Sequence, residues 1–328
     1  MREESQRLMS LLRGERVARP PLFEPWFAMG QMLNAHYGGS YLDMADQLGH
    51  AAVPIGGLNV GMKFIHRAES QPESGAWYDG GLLESVEQLR NDPEPDYDAQ
   101  VDDLRRKRDE AGERGSACWV VIGWCFDRMS ANMSLENLAM ACYDDPDFVR
   151  EAMATYEARN QQAVERILAK VIPDFVLYNG DCAYKTGPMI HPDMIRDFCF
   201  EPSKKTVDQV RDLGIPFAFH TDGKLDAILP ILLDLGICAV HGCEKQANDL
   251  SHLVETFGDD IALCGNMDVV FMKHASVEEV VIRTRQMLDV GSRKQRFIAG
   301  CNTSPMDYIP VENYQAMCRT IADYEPSA

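Results

Sequence analysis

The fold is decided by the stretch PFAFHTDGKLDAILPILLDLGICAVHGCE (216–244). It begins with an apolar run (216–223), continues through a segment whose apolar residues have helical spacing (224–236), and returns to an apolar run (237–244). A strand, a helix and a strand in this order predict two parallel strands joined by a helical crossover. Both runs are continuously apolar rather than alternating, which is typical of strands buried on both faces of a sheet.

The same alternation extends over most of the chain. Apolar runs with strand character lie at 21–26, 50–56, 118–125, 175–181, 216–223, 237–244, 261–268 and 296–303. Eight β/α units in roughly 300 residues predict an α/β protein of the (β/α)8 TIM-type barrel class. The alternative, an open doubly wound sheet, is disfavoured because no G-x-G-x-x-G sequence follows a strand. We expect one barrel domain over 1–328, with an insertion at about 57–117 near the barrel mouth.

Composition and charge narrow the function. The chain has 328 residues, 45% hydrophobic and 25% charged, with 32 Lys and Arg against 51 Asp and Glu, a formal net charge of -19. Such a charge repels phosphate backbones and anionic lipid surfaces, so nucleic-acid and membrane partners are not expected. The charged N-terminal segment lacks a secretory h-region, and no apolar run is long enough to span a membrane. We therefore expect a cytoplasmic protein whose ten cysteines are free thiols.

Candidate functional residues follow from the ends of the predicted strands, because barrel active sites lie at the C-terminal ends of the strands. These ends carry acidic, aromatic, histidine, cysteine and asparagine side chains. They are Glu24, Trp26, Trp124, Asp181, Tyr184, His220, Asp222, His241, Cys243, Glu244, Asn266 and Cys301. His, Cys and carboxylate side chains are the ligands that zinc prefers. Trp26, Trp124, Tyr184 and Asn266 are the expected substrate-binding residues, in a largely apolar mouth suited to a flat or methylated small molecule.

Several segments resemble the uroporphyrinogen decarboxylase superfamily. They include NGDCAYKTGPMIHPDMIRDFCFEP (179–202), FHTDGKLDAILPILLDLGI (219–237) and FGDDIALCGNMDV (257–269). The opening RLMSLLRGERVARPPLF (7–23) and the closing CNTSP (301–305) are also similar to that family. The resemblance covers nearly the whole chain and implies a (β/α)8 barrel.

The resemblance implies one of two chemistries. True decarboxylases of the family carry an Arg-rich motif near the N-terminus, where this chain reads EPWFAMGQM (24–32) without an arginine. The corrinoid-dependent methyltransferase branch uses a His-x-Cys pair and a later Cys as zinc ligands. His220 and Cys301 match this pattern, and Asp222 stands in the middle position. Carboxylate is an accepted zinc ligand, and an oxygen donor suits activation of an oxygen substrate.

The resulting hypothesis is a methyltransferase. It would move a methyl group between a small methylated compound, with a methoxylated aromatic favoured, and cobalamin carried by a partner corrinoid protein. His220, Asp222 and Cys301 would hold zinc, with Glu244 or Cys243 as fourth ligand, and zinc would act as a Lewis acid. Asp181 or Glu24 would position or protonate the leaving group.

Three points stay open. A cofactor-free decarboxylase of the same family, acting on a different carboxylate through Asp181, is the alternative activity. An inactive barrel that regulates a partner is a third class, disfavoured because clustered buried acids and histidines have no use there. The resemblance permits a monomer or a homodimer.

Overall fold

The structure is a computed structural model that describes residues 1–62 and 81–326. Its centre is a seven-stranded, all-parallel sheet. The strands, in spatial order, are β1 (Ala52–Gly57), β2 (Ala117–Gly123), β3 (Phe175–Asn179), β6 (Phe217–His220), β7 (Ala239–His241), β8 (Ala262–Met267) and β9 (Phe297–Cys301). Each strand pairs with the next one along this order, as the continuous apolar runs predict.

The segment around Leu22 closes the sheet into a barrel. Leu22 bridges to His50 next to β1 and to Ala299 on β9, both in parallel orientation. The Phe23 N–H donates to the Ala299 carbonyl at 2.9 Å. The predicted strand 21–26 is therefore the eighth barrel segment, shortened to isolated bridges. Prolines within it cannot donate to a ladder, which limits its length.

Helices cover the outside of the barrel. Their bounds are α1 (Glu3–Leu12), α2 (Gly30–Tyr37), α3 (Tyr41–Leu48), α4 (Val86–Arg90), α5 (Tyr97–Glu113), α6 (Cys125–Met133), α7 (Leu135–Asp144), α8 (Pro146–Ala163), α9 (Pro192–Ile195), α10 (Glu201–Asp212), α11 (Leu229–Leu235), α12 (Leu250–Phe257), α13 (Val269–His274), α14 (Val277–Gly291) and α15 (Val311–Ala322). Two π-helical turns (Val164–Leu168 and Arg196–Phe200) and one 3-10 turn (Ser292–Lys294) join them. An antiparallel ribbon of β4 (Ala183–Tyr184) and β5 (Gly187–Pro188) follows β3.

Local signals in the sequence account for the helix boundaries. Asp145 caps α8 by accepting the Phe148 N–H at 3.2 Å, and Pro146 occupies the first helical position, where its missing N–H costs nothing. Ser276 and Glu279 form a capping box at the start of α14. These caps explain why the long apolar periodicity breaks where it does.

Two apolar cores follow from the period-two alternation of the strands. One fills the barrel interior with side chains such as Trp119, Phe175 and Ile298, and α1 closes it from below with Leu8 and Leu11. The other lies between the sheet and the surrounding helices. A side chain at a strand end can therefore reach the mouth only if it lies on the face of the strand that points into the barrel.

The connection between β1 and β2 corresponds to the segment 57–117 that the sequence assigns to an insertion. Its last part forms α5, the crossover helix of a β/α unit, because Leu104 of α5 reaches β1 at Gly56. Residues 63–80, the middle of that segment, lie outside the described residues. Placement of an insertion over the mouth remains a prediction. Within the described ranges, no helix is long and apolar enough to cross a bilayer.

Candidate metal centre at the barrel mouth

Three potential ligands meet at the C-terminal ends of β3 and β6. The ligand atoms of Asp181, His220 and Asp222 all lie within 4.8 Å of one another. His220 Nε2 is 3.8 Å from Asp181 Oδ1 and 3.8 Å from Asp222 Oδ1. His220 is the last residue of β6 and buried, whereas both aspartates are partly exposed to the mouth. His220 thus forms the buried side of the group, and the two aspartates form the side that is open to solvent.

Hydrogen bonds hold the two aspartates in place. The Asp222 N–H donates to Asp181 Oδ1 at 2.9 Å, and the Gly223 N–H donates to Glu244 Oε2 at 3.0 Å. Asp222 Oδ1 is a buried oxygen with no hydrogen-bond partner among the described residues. An unpartnered carboxylate oxygen beside a second carboxylate is costly unless a proton or a cation binds there.

Electrostatics at Asp222 reflect this crowding. Burial, together with the negative charges of Asp181 and Glu244, raises the pKa of Asp222 to about 8. Lys185 lowers it, but its effect is smaller. In the absence of a cation, Asp222 therefore holds a proton at neutral pH.

A glycine allows the ends of β6 and β7 to approach closely. Gly242 has φ +102°, and a Cβ there would lie 2.0 Å from the Thr221 carbonyl oxygen. Only glycine fits this position. The close approach brings His241 beside His220, its register partner on the neighbouring strand.

The two histidines form a chain of hydrogen bonds. His220 Nδ1 lies 2.7 Å from His241 Nδ1, and His241 Nε2 lies 3.2 Å from the Cys301 carbonyl oxygen. Burial lowers the pKa of His220 to about 3 and that of His241 well below its usual value, so both rings are neutral. A carbonyl only accepts, so His241 carries its proton on Nε2 and His220 carries its proton on Nδ1. His220 Nε2 is left as a lone pair that faces the two aspartates.

Other predicted ligands lie outside this group. Cys301 ends β9 on the helix side of the sheet, where its thiol donates to the Glu24 carboxyl. Cys243 is also buried on the helix side, and Glu244 is bound to the Gly223 N–H. In the structure, the third potential ligand beside His220 and Asp222 is therefore Asp181, which the sequence predicts to be catalytic, and not Cys301. Cys301 lies at the predicted strand end but on the opposite face of the sheet from this group, so its role as a ligand remains a prediction.

Glu24 does not reach the mouth either. Its oxygens accept the Cys301 N–H at 3.0 and 3.2 Å, and its carboxyl is hydrogen-bonded with Tyr314 of α15. It is fully buried, and burial raises its pKa to about 8. The structure thus places Glu24 apart from the three residues of the metal centre, and its predicted catalytic role remains a prediction.

The four predicted substrate-binding residues divide equally. Trp26 packs edge-on against His220 with ring centroids 4.4 Å apart and is partly exposed, and Tyr184 is half exposed on the β4–β5 ribbon. Trp124 is buried behind the sheet, where its Nε1 donates to Ser203 Oγ at 2.9 Å. Asn266 turns toward α14, where it accepts from Arg283 at 3.3 Å. Trp26 and Tyr184 are thus accessible to solvent, whereas Trp124 and Asn266 are buried against other side chains, and substrate binding by the four residues remains a prediction.

One important residue was missed. The sequence names His241 only among the residues at the strand ends and gives it no role, whereas the strand register places it beside His220. Two buried histidines at the ends of consecutive predicted strands are the signal that could have found it.

The fold and its polar strand ends define a (β/α)8 barrel with its functional groups collected at one mouth. Residues 83–324 match the family Uroporphyrinogen decarboxylase (URO-D), and the chain belongs to this family. This confirms the family resemblance of the sequence.

Solved structures confirm the barrel. The chain is similar to a methyltransferase from Methanosarcina mazei, with a TM-score of 0.74, 17% identity and 98% of each chain covered. It is also similar to a family 5 xyloglucanase from Paenibacillus pabuli, with a TM-score of 0.51, 9% identity and coverage of 93% of this chain and 99% of the other. None of the curated proteins compared with the chain matches it.

Proposed function

We propose that the chain is a metal-assisted methyltransferase that moves a methyl group between a small methylated compound and a corrinoid protein. The observation that carries this proposal is the convergence of Asp181, His220 Nε2 and Asp222 at the barrel mouth. Methyl ethers and related donors have poor leaving groups, so methyl transfer from them needs electrophilic assistance at the heteroatom. The resemblance to the methyltransferase from Methanosarcina mazei supports the same class.

The donor set fits a divalent cation, with zinc as the proposed metal. One imidazole nitrogen and two carboxylate oxygens provide three protein ligands, which is the usual number in a catalytic zinc site with one open position. The His220 tautomer is fixed by His241, the outer-shell arrangement common at metal-bound histidines. The unpartnered Asp222 Oδ1 would gain its missing partner. A bound zinc ion would supply Lewis acidity toward the oxygen of the methyl donor.

The residues around this group supply orientation and exclude water. Trp26 covers one face of His220 and provides an apolar wall. Tyr184 lies on the ribbon after β3, and its backbone carbonyl accepts the Lys224 N–H at 2.9 Å next to Gly223. A flat aromatic ring between Trp26 and Tyr184 would hold its methoxy oxygen near the two aspartates. A methoxylated aromatic is therefore the proposed donor class.

A metal and transfer assay tests the proposal. Protein purified without chelator should contain about one zinc per chain, and His220→Ala should remove it. A methoxylated benzoate incubated with free cob(I)alamin and enzyme should convert the corrinoid absorption spectrum, with EDTA abolishing the conversion. His252→Ala is the matched control, because His252 is an exposed histidine paired with Asp226. Zinc content near zero in the wild type would exclude the proposed zinc site and its role in methyl transfer.

A cofactor-free decarboxylase is the second candidate, and one observation favours it. Asp222 holds a proton at neutral pH, because its pKa is raised to about 8, so it could deliver that proton to the carbon that loses CO2. This activity would survive EDTA and be lost in Asp181→Asn and Asp222→Asn. Release of CO2 from added carboxylates by EDTA-treated protein would favour it over methyl transfer.

A further inference from the structure

A cleft separate from the metal centre opens between the β7–α12 connection and α14. It has a volume of about 490 Å³, within the range of small-molecule sites. None of the three residues of the metal centre lines it. We call it the α12–α14 cleft, defined by Lys245, Asn248, Asn266, Arg283, Gln286 and Met287.

Two cations face this cleft without a paired carboxylate. No carboxylate oxygen in the described part of the chain lies within 4.0 Å of Lys245 Nζ or the Arg283 guanidinium. Burial lowers the pKa of both groups, and their mutual repulsion adds to the effect at Lys245. Two unpaired cations side by side are notable in a chain of net charge -19, where acids are in excess.

The acids closest to the cleft are already engaged. Asp268 accepts the Val270 N–H at 2.8 Å and the Gln246 amide at 2.9 Å. Asp249 caps α12 by accepting the Ser251 N–H at 3.0 Å. Asp268 attracts both cations, which raises their pKa, and Asp249 lines the cleft, but neither carboxylate lies within 4.0 Å of Lys245 or Arg283. Among the described residues, both cations are therefore without a direct ion pair and can bind a ligand.

The cleft wall fixes the direction of Arg283. Arg283 Nη2 donates to Asn266 Oδ1 at 3.3 Å, and Asn266 Nδ2 donates to the Cys243 carbonyl at 2.7 Å. Asn266 has φ +96°, a conformation uncommon for a residue other than glycine, and is buried. A strained, buried residue that holds a cation toward a cavity is a pattern found at ligand sites.

The remaining lining is partly apolar. Met287 is buried in the cleft floor, and Val290 and Leu250 also contribute to the lining. Gln286 adds an exposed amide at the rim. The cleft therefore combines positive charge on one side with an apolar surface on the other.

We propose that the α12–α14 cleft binds a small organic anion, whose carboxylate or phosphate contacts Lys245 and Arg283 while its apolar part lies on Val290. The site is independent of the proposed methyl transfer. Arg283 suits both anions because its planar guanidinium can donate two parallel hydrogen bonds.

Calorimetric titration of the full-length protein in EDTA tests this site. The probes are benzoate, phenyl phosphate, inorganic phosphate and, as the neutral analogue, benzyl alcohol. We expect saturable binding of benzoate or phenyl phosphate, weaker binding of inorganic phosphate and none of benzyl alcohol. Tighter benzoate binding would assign a carboxylate ligand, and tighter phenyl phosphate binding would assign a phosphate ligand.

Variants locate the binding. Arg283→Gln should weaken it at least tenfold, and Arg285→Gln, the same change two residues along α14 and outside the cleft, less than twofold. Gln286→Glu places a negative charge at the rim and should also weaken binding, which keeps the test decisive if Arg283→Gln does not fold. Absence of saturable binding by every anion, or equal losses in the Arg283 and Arg285 variants, would overturn the proposal.

Discussion

His220 and His241 share one hydrogen bond, with their Nδ1 atoms 2.7 Å apart. Because His241 Nε2 donates to the Cys301 carbonyl, the proton between the rings belongs to His220. His220 Nε2 is therefore a lone pair directed at Asp181 and Asp222. The position of one backbone carbonyl on β9 thus sets which nitrogen on β6 can bind a cation.

This relationship makes His241 a positioning residue. We expect His241→Ala to lower zinc affinity about 10- to 100-fold, because His220 then samples the tautomer with its proton on Nε2. His220→Ala should lose binding altogether. Competition with a chromogenic chelator measures both affinities.

The control for this experiment is His252→Ala, which removes an exposed histidine. Zinc affinity of His241→Ala within twofold of the wild type would show that the hydrogen bond does not orient His220.

Asp222→Asn should separate stability from binding. Its carboxylate lies beside Asp181 and Glu244, so removing the charge relieves repulsion in the metal-free protein. We expect metal-free Asp222→Asn to gain stability over the wild type as the pH rises from about 4 to 8, with the full difference present above pH 8, where Asp222 is charged in both states. The gain should not exceed about 1 kcal/mol, because the side chain is over a third exposed and water screens it.

Added zinc should reverse that order, because only the wild type gains binding energy from the ion. Thermal denaturation with EDTA and with excess zinc measures both effects. Asp226→Asn, a matched change at the surface, should show neither effect. The same order in both conditions would argue against Asp222 as a ligand.

The sequence predicted the barrel well because buried parallel strands are continuous apolar runs with recognisable ends. FHTD (219–222) located His220 and Asp222 at the end of β6 for this reason. The sequence also located Cys301 at the end of β9, but not the face of the sheet on which it lies, because the inward or outward direction of a residue depends on where the alternation begins. Pairing with β8 sets the register of β9, and a single sequence does not show how two strands pair.

Asn266 and Trp124 show a second limit. The positive φ values of Gly265 and Asn266 break the alternation of β8 and turn Asn266 toward α14. Trp124 follows β2 directly and is the N-cap residue of α6, a helix that the apolar periodicity of the sequence did not predict. Backbone geometry at the strand end, rather than composition, decides which side chains enter the mouth.

Glu24 should give the protein a pH-dependent stability. Its pKa rises from 4.5 in the unfolded chain to about 8 in the fold, because it is buried. Between these values the folded state holds a proton that the unfolded state has released, so stability falls as pH rises through this window. Relative to the wild type, Glu24→Gln should gain a few kcal/mol from pH 5 to pH 8, measured by urea unfolding.

Neighbouring groups do not mask this effect. Burial lowers the pKa of His50, which binds Tyr314 behind Glu24, to about 3, so its own contribution to stability rises with pH up to about 6.5. That contribution is the same in the wild type and in Glu24→Gln and cancels in their difference. Glu165→Gln, which changes an exposed acid on the turn Val164–Leu168 away from the mouth, is the control. Parallel pH profiles for the wild type and Glu24→Gln would show that Glu24 does not take up the proton.

Trp26 should report on the metal centre. Its ring lies 4.4 Å from that of His220, so zinc binding should change its fluorescence, and Trp26→Phe should remove that change. Trp124→Phe should retain it, because Trp124 lies behind the sheet against Phe219. Trp124→Ala should instead cost about 3–5 kcal/mol of stability, as for other large core truncations. A zinc-dependent signal that survives in Trp26→Phe would place the ion elsewhere.

Cys301→Ala distinguishes the ligand set predicted from the sequence, which includes the Cys301 thiol, from the set of Asp181, His220 and Asp222. If the thiol were a ligand, as the His220 and Cys301 pattern of the sequence implies, the variant would lose zinc. The structure directs that thiol to Glu24 and leaves only the Cys301 carbonyl in the histidine chain, which alanine retains. We therefore expect zinc affinity within about twofold of the wild type and a loss of stability of about 1 kcal/mol from the vacated packing. Cys318→Ala, a neighbouring buried thiol on α15, is the matched control, and a selective loss of zinc in Cys301→Ala would restore the sequence-based ligand set.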